Sequence, residues 1–265
     1  MKKLFLFAAV MFSSISFSSC SEDGNKENQT SQKLLKQIEE ISADKTIYYD
    51  FSYDDQQRLA EVSIHGGYIH GDVDFTYTYT DDRISVKYNS SSGSYYDAAF
   101  ILDHNGYVTE FDVNGTTRWR YEYENGYVSK KQDNNSVTTP YFWTYRWENG
   151  NLMECRQVVE NLHDTYTHTC TYTYTDKPNK LNVNLFDGEL SYTDSGIFEY
   201  NSLFTNFKGS ISSNYLASIG SYVDGKLSPY YSCKISYEYD DEGYPTGIVL
   251  SYDSGGFVYL RLTYY

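Results

Sequence analysis

Four short stretches of this chain alternate with a period of two. TYTYT at 76–80, YEYE at 121–124, TYTYT at 171–175 and YEY at 237–239 put aromatic rings on one side and Thr or Glu on the other. That period belongs to an extended strand, and a strand with one apolar and one polar face belongs to an antiparallel sheet solvated on one side. The residue types agree, because aromatic and β-branched side chains fit a pleated, half-buried surface. Their supply is large: 31 Tyr, 14 Phe and 3 Trp in 265 residues. The Tyr ring is apolar enough to build a core where only 40% of the chain is hydrophobic.

The alternating stretches belong to a repeat: aromatic-x-aromatic, a polar turn, then an aliphatic residue or Tyr opening a second strand. The copies are FSYDDQQRLAEV from Phe51, YTYTDDRISV from Tyr77, FILDHNGYVTEF from Phe100, YEYENGYVSKK from Tyr121, YRWENGNLMEC from Tyr145, YTYTDKPNKLNV from Tyr172 and YEYDDEGYPTGIV from Tyr237, with a degenerate copy from Phe198. The first six start 26, 23, 21, 24 and 27 residues apart, the length of one β-hairpin and its connections. Asn-Gly at 105–106, 125–126 and 149–150 suits tight turns with positive φ. The Asp pairs at 54–55, 81–82 and 240–241 stand at the same turn position. They do not repeat at calcium-ligand spacing, so they are assigned to turn chemistry.

Hairpins joined in series predict an all-β, antiparallel up-and-down meander of about 16–18 strands over residues 31–265, one domain. So long a twisted sheet must curl or close into a barrel. No stretch reads as the crossover helices a parallel sheet needs. At the start, SQKLLKQIEEISA (31–43) carries Leu34, Leu35, Ile38 and Ile41 at helical spacing; a helix and a twisted first strand both fit.

The first residues read as an address. Lys2 and Lys3 precede an apolar run, Leu4–Phe12, too short to span a bilayer, and then Ser18, Ser19 and Cys20. The order resembles a bacterial lipoprotein signal peptide (1–19), with Phe17 where Leu is commonest. That resemblance implies a lipid on Cys20 and, through it, a membrane as partner. Cleavage takes away Lys2 and Lys3 and no acid, so the net charge falls from −15 to −17. Such an acidic chain does not suit nucleic acid as a partner. Residues 20–30 are the lipidated cysteine and a polar tether, and the acids after Cys20 resemble an export tag to the outer face of an outer membrane.

FSYDDQQRLAEV resembles the YD-x-x-G-R-L unit of YD-repeat proteins, with Gln57 where Gly is usual. The lipoprotein start followed by tandem hairpins is similar to a Bacteroides-type lipoprotein family of unknown function with a porin-like fold. The resemblance implies a barrel at the cell envelope, on the cell surface or the periplasmic face, and carries over no catalytic residue. A membrane-spanning barrel is not expected. Polar residues run along whole strands, and Thr263 and Arg261 share the face that ends in Tyr265.

No nucleophile, phosphate-loop or zinc-protease motif occurs, so no enzyme, catalytic residue, metal or cofactor is assigned. His65 and His70, and His163 and His168, form pairs without a third metal ligand, and His104 stands in a turn. The remaining candidates for a ligand site are aromatic: Trp119 and Tyr121 on one strand, Trp143, Tyr145 and Trp147 on another. Each set shares one parity, so it is either buried core or a ring platform for a glycan or a protein partner. The alternatives are an accessory lipoprotein docking through strands or edges, and a glycan hydrolase.

One register follows from patterning alone. If the hairpin 152–175 turns at Asn161–Asp164, Cys155 opposes Cys170, Gln157 opposes His168 and Val159 opposes Tyr166, while Arg156 opposes Thr169 and Glu154 opposes Thr171. This separates a mostly apolar face from a polar one. It brings Cys155 and Cys170 within reach of a disulfide and leaves Cys233 alone.

Overall fold

In chain order the strands are β1 (Leu35–Ile41), β2 (Thr46–Tyr53), β3 (Leu59–His65), β4 (Val73–Tyr79), β5 (Arg83–Ser90), β6 (Tyr95–Leu102), β7 (Val108–Val113), β8 (Thr116–Glu124), β9 (Tyr127–Asp133), β10 (Phe142–Glu148), β11 (Asn151–Glu160), β12 (Thr165–Pro178), β13 (Asn214–Val223), β14 (Lys226–Leu227), β15 (Cys233–Tyr239), β16 (Pro245–Tyr252) and β17 (Phe257–Tyr264). The structure, a computed structural model, describes residues 32–66, 71–134, 142–160, 165–183, 185 and 208–265. The signal peptide, Cys20, the tether, His70, His163 and the copy at Phe198 lie outside them.

Neighbouring strands pair antiparallel, and β1 pairs with both β2 and β17. The meander therefore closes into a 16-strand barrel. The two-residue β14 folds back on the end of β13, which passes the ring on to β15. Closure removes the free sheet edges that would otherwise recruit another strand, so the expected docking through an edge has no edge to use.

The opening segment is a strand, and its helix-like spacing has a local cause. The β1–β17 register shifts between Leu35 and Gln37. A bulge there adds one residue, so Leu35 and Ile38, three apart, share the buried face.

Strand direction alternates, so every repeat turn falls at one end of the barrel, here the turn end, where the chain also enters at Lys33. Three of these turns are built alike. The carboxylate of Asp54 accepts the N–H groups of Gln56 and Arg58. Asp103 takes those of Asn105 and Tyr107, and Asp240 those of Glu242 and Tyr244. The fourth residue of each turn is left-handed: Gln57 (φ 60), Gly106 (φ 80) and Gly243 (φ 82). The Asp residues of the repeat thus hold turns, as expected. All three carboxyls are held below the usual carboxylate range: Asp54 chiefly by Arg58, Asp103 by the Tyr107 N–H and Asp240 by Lys33.

The repeat spacing also has a physical reason. Tyr53 donates its hydroxyl hydrogen bond to the Leu35 carbonyl, Tyr79 to Leu59, Tyr174 to Leu152, Tyr237 to Leu216 and Tyr264 to Pro245, at 2.6–2.8 Å. Trp147 does the same through its indole N–H to Val128, at 2.8 Å. The partners lie 18 to 22 residues apart. An aromatic near the end of one strand thus clamps the carbonyl of the apolar residue near the start of the strand that precedes it in the ring. The acceptor side chains are themselves buried, so each clamp satisfies a carbonyl next to core and seals the turn end.

The core is the inner face of the ring. Ile47, Tyr49, Val62, Ile248, Leu250 and Leu260 are each fully buried. A 16-strand porin keeps water in its lumen, whereas this lumen is filled from the wall inward. The connection after β12 adds to the filling: Leu181, Val183 and Leu185 belong to the core, and Asn182 accepts the Leu35 N–H. Its return crosses the strand starts, where Gly209 O accepts Val128 N–H, Gly150 O accepts Ser213 N–H and Ser212 accepts Leu152 N–H. At Gly209 (φ 81) a Cβ would stand 2.5 Å from the Gly126 carbonyl oxygen, which explains the glycine. A cavity of about 40 Å³ remains between Leu152, Tyr172, Tyr174, Leu181, Tyr215 and Tyr237, room for a few waters and far too small for a sugar.

The outer face is polar and charged. Glu39 pairs with Arg261, Glu122 with Lys130 at 2.9 Å and Glu110 with Arg120 at 3.2 Å.

Candidate functional site

The wall of the barrel is not sealed evenly. On β2, β4 and β5 the inward residues Ile47, Tyr49, Phe51, Val73, Phe75, Tyr77, Ile84, Val86 and Tyr88 are at most 9% exposed, while the clamping Tyr53 and Tyr79 are half-buried. On β8 and β10 no residue is buried, although the inward faces carry Trp119, Tyr121 and Tyr123, and Trp143, Tyr145 and Trp147. The register brings these sets together across β9. Trp119 pairs with Asp133, Tyr121 with Lys131, and Lys131 in turn with Trp143. Trp143 opposes Gln157, and Gln157 opposes His168.

Pairing in that order builds one inward patch at the end of the barrel opposite the repeat turns, the far end. The rings of Trp119 and Trp143 meet edge to face with centroids 5.1 Å apart and planes at 81°. The Lys131 ammonium lies 4.4 Å from the centroid of Trp119 and 4.9 Å from that of Trp143. The Arg118 guanidinium lies 5.6 Å from the centroid of Trp119. A cation over an indole face is held by about 0.5–2 kcal/mol, more as water is excluded. Beyond them, His168 Nε2 is 2.9 Å from Ser221 Oγ. Burial lowers the His168 pKa, so its imidazole is neutral at pH 7 and can accept as well as donate.

The structure therefore divides the five aromatic candidates. Trp147 is one of the clamps and stacks on Tyr127 at 4.8 Å. Tyr121, Tyr145 and Trp143 pack against the core beside it. Trp119 stands outside that core cluster, with the cations around it. Of the five candidates, Trp119 and Trp143 thus form an aromatic surface at the mouth. Lys131, Asp133, Gln157 and His168 complete it, and sequence reasoning missed their role. A signal was present in β9: YVSKKQD is polar on both parities after Val128, which a strand lining dry core would not be.

The other sequence candidates fall elsewhere. His65 stacks on Tyr48 at 5.4 Å on the outer face, its Nδ1 3.6 Å from Asp50. Among the described residues no three His, Cys, Asp or Glu side chains gather as metal ligands. Cys155 and Cys170 are directly opposed, within the register that patterning predicts from Glu154↔Thr171 to Glu160↔Thr165. Both are buried free thiols rather than a disulfide. Cys170 Sγ has His168 Nε2 at 3.9 Å, and its thiol also bonds the Tyr172 hydroxyl.

No family model and no curated protein matches the sequence. Solved structures do. A porin-like protein from Bacteroides uniformis ATCC 8492 is 14% identical, with a TM-score of 0.60 over 87% of this chain and 98% of that one. A porin-like protein from Bacteroides vulgatus ATCC 8482 is 15% identical, with a TM-score of 0.63 over 88% and 99%. At such identities the likeness is one of fold: the chain has the barrel of these porin-like proteins, closed over nearly their whole length.

Proposed function

We propose that the protein is a non-catalytic lipoprotein of the cell envelope, anchored to an outer membrane by a lipid on Cys20, whose far-end mouth binds a glycan. The observation that carries the reading is the half-buried pair Trp119 and Trp143, with Lys131, Asp133 and Gln157 beside them. A sugar offers an apolar C–H face and a rim of hydroxyls, and this patch matches both with indole surface and with donors and acceptors. The ion pairs on the outer face speak against a barrel that faces lipid, which needs an apolar band there. The described chain begins at the turn end, opposite the mouth.

A glycan array probed with the mature protein tests this. Binding that drops at least tenfold in Trp119→Ala and Trp143→Ala, with the melting temperature of the barrel kept, supports the reading. Failure of every glycan to bind, or equal binding by both variants, refutes it. Cys20→Ala should release the protein from membranes; unchanged partitioning would sink the anchor.

A second reading, an accessory lipoprotein docked on an outer-membrane complex, has one observation in its favour. Tyr166, Leu227, Tyr230 and Phe257 are exposed on the far-end rim, Tyr230 at 70%. Their loops adjoin through Asp224 N–H to Thr167 O and Ser254 N–H to Pro229 O. Co-purification of a membrane complex that Tyr230→Ser and Phe257→Ser abolish would favour it.

A further inference from the structure

We propose that Cys155 and Cys170 are a redox-active cross-strand pair that closes into a disulfide by exchange with an external disulfide, while Cys233 stays reduced. Three observations combine. The cysteines face each other directly in the β11–β12 ladder, where Cα atoms stand about 4.5–5.5 Å apart, inside the span a disulfide bridges. Both side chains turn into the barrel on the wall just below the mouth, at 5% and 4% exposure. And His168, two residues from Cys170 on the same inward face, places Nε2 3.9 Å from Cys170 Sγ while also contacting Ser221 Oγ.

The third cysteine lacks this setting. Cys233 is paired with Tyr252 and Ile219, and burial pushes its thiol up to about 12. At neutral pH it is almost wholly protonated and a poor nucleophile. Cys170 instead has a half-buried imidazole that burial keeps neutral and able to take its proton.

The exchange balances without any group beyond a disulfide, RSSR. Cys170 gives its thiol proton to His168, and the thiolate attacks one sulfur of RSSR. The S–S bond of the reagent breaks, and RS⁻ leaves with the bonding pair and takes a proton. Cys155 then attacks the Cys170 sulfur of the mixed disulfide; its own proton goes to the second departing RS⁻. Two protein thiols are oxidised, one external disulfide is reduced to two RSH, and β11 and β12 are stapled below the mouth. An exported protein meets such disulfides.

The test incubates the full mature protein with oxidised and reduced glutathione at several ratios and follows intact mass and peptide maps. The expected result is loss of two hydrogens, a Cys155–Cys170 cross-linked peptide and an unmodified Cys233. The oxidised protein should melt higher by about 6–12 °C, from the entropy of a loop near 15 residues in a domain of this size. His168→Gln should slow bond formation at pH 7 by about tenfold or more without changing the final extent, a split that a merely structural histidine would not produce. Cys155→Ser should stop at a stable glutathione adduct on Cys170. A native protein that forms no Cys155–Cys170 bond at any ratio, that bonds through Cys233, or that keeps the glutathione adduct with Cys155 present overturns the proposal.

Discussion

Gln57 occupies a turn position where the equivalent hairpins place Gly106 and Gly243, and its φ of 60° lies in the left-handed region. A residue with a Cβ is disfavoured there by about 1–2 kcal/mol, while glycine loses about 0.5–1 kcal/mol more chain entropy on folding. The Gln57 side chain is exposed, and the turn bond from its own N–H to Asp54 O survives a change to glycine. Gln57→Gly should therefore stabilise the barrel by about 0.5–1 kcal/mol. For a domain of some 230 residues that is a rise in Tm of about 1–4 °C. The reciprocal change is clean, because nothing lies within 4 Å of a Cβ built on Gly106. Gly106→Gln should lower Tm by a similar amount. Differential scanning calorimetry of both variants against the parent reads the pair. If Gln57→Gly lowers Tm, or Gly106→Gln leaves it unchanged, left-handed strain does not govern these turns and the shared turn geometry is wrong.

Tyr79→Phe removes the clamp on the Leu59 carbonyl and should cost about 1 kcal/mol, visible as a drop in the urea midpoint. Tyr48→Phe, which removes only a 3.4 Å contact to Glu39 on the outer face, should leave the midpoint in place. Gly209→Ala should cost at least about 1–2 kcal/mol, since its Cβ meets backbone at 2.5 Å in a left-handed residue; an unchanged midpoint would mean that the return of the β12–β13 connection does not cross the strand ends. Glu40 is 2% exposed and accepts the Tyr49 hydroxyl at 2.7 Å, and burial raises its pKa. A raised folded pKa means full stability below the unfolded value of about 4.3 and loss as pH climbs through the folded value. Glu40→Gln should thus match the parent near pH 4 and exceed it in Tm at pH 7; a constant difference across that range would refute the burial argument.

Much of this barrel is written locally. Period two makes strands wherever Tyr alternates with Thr or Glu, because successive side chains must point to opposite faces. Asn-Gly and Asp-x-x-Gly make the turns, because glycine and asparagine tolerate positive φ. The β11–β12 register also followed from patterning, since a slip by one residue would set Cys155 opposite Thr169 or Thr171 and mix the apolar face with the polar one. What local pattern could not decide was long-range. Closure depends on β1 meeting β17, where Glu39 faces Arg261 222 residues away, and no alternation of period two says whether a meander closes or stays open. The β1 bulge disguised a strand as a helix, because one extra residue turns a spacing of two into three. The repeat aromatics read simply as core, while their hydroxyls turned out to clamp carbonyls one strand back, a contact that exists only once neighbouring strands are paired. The mouth is likewise tertiary. Trp119, Lys131 and Trp143 come from three strands, and only their pairing sets one ammonium against two indoles on strands whose inward faces are not buried.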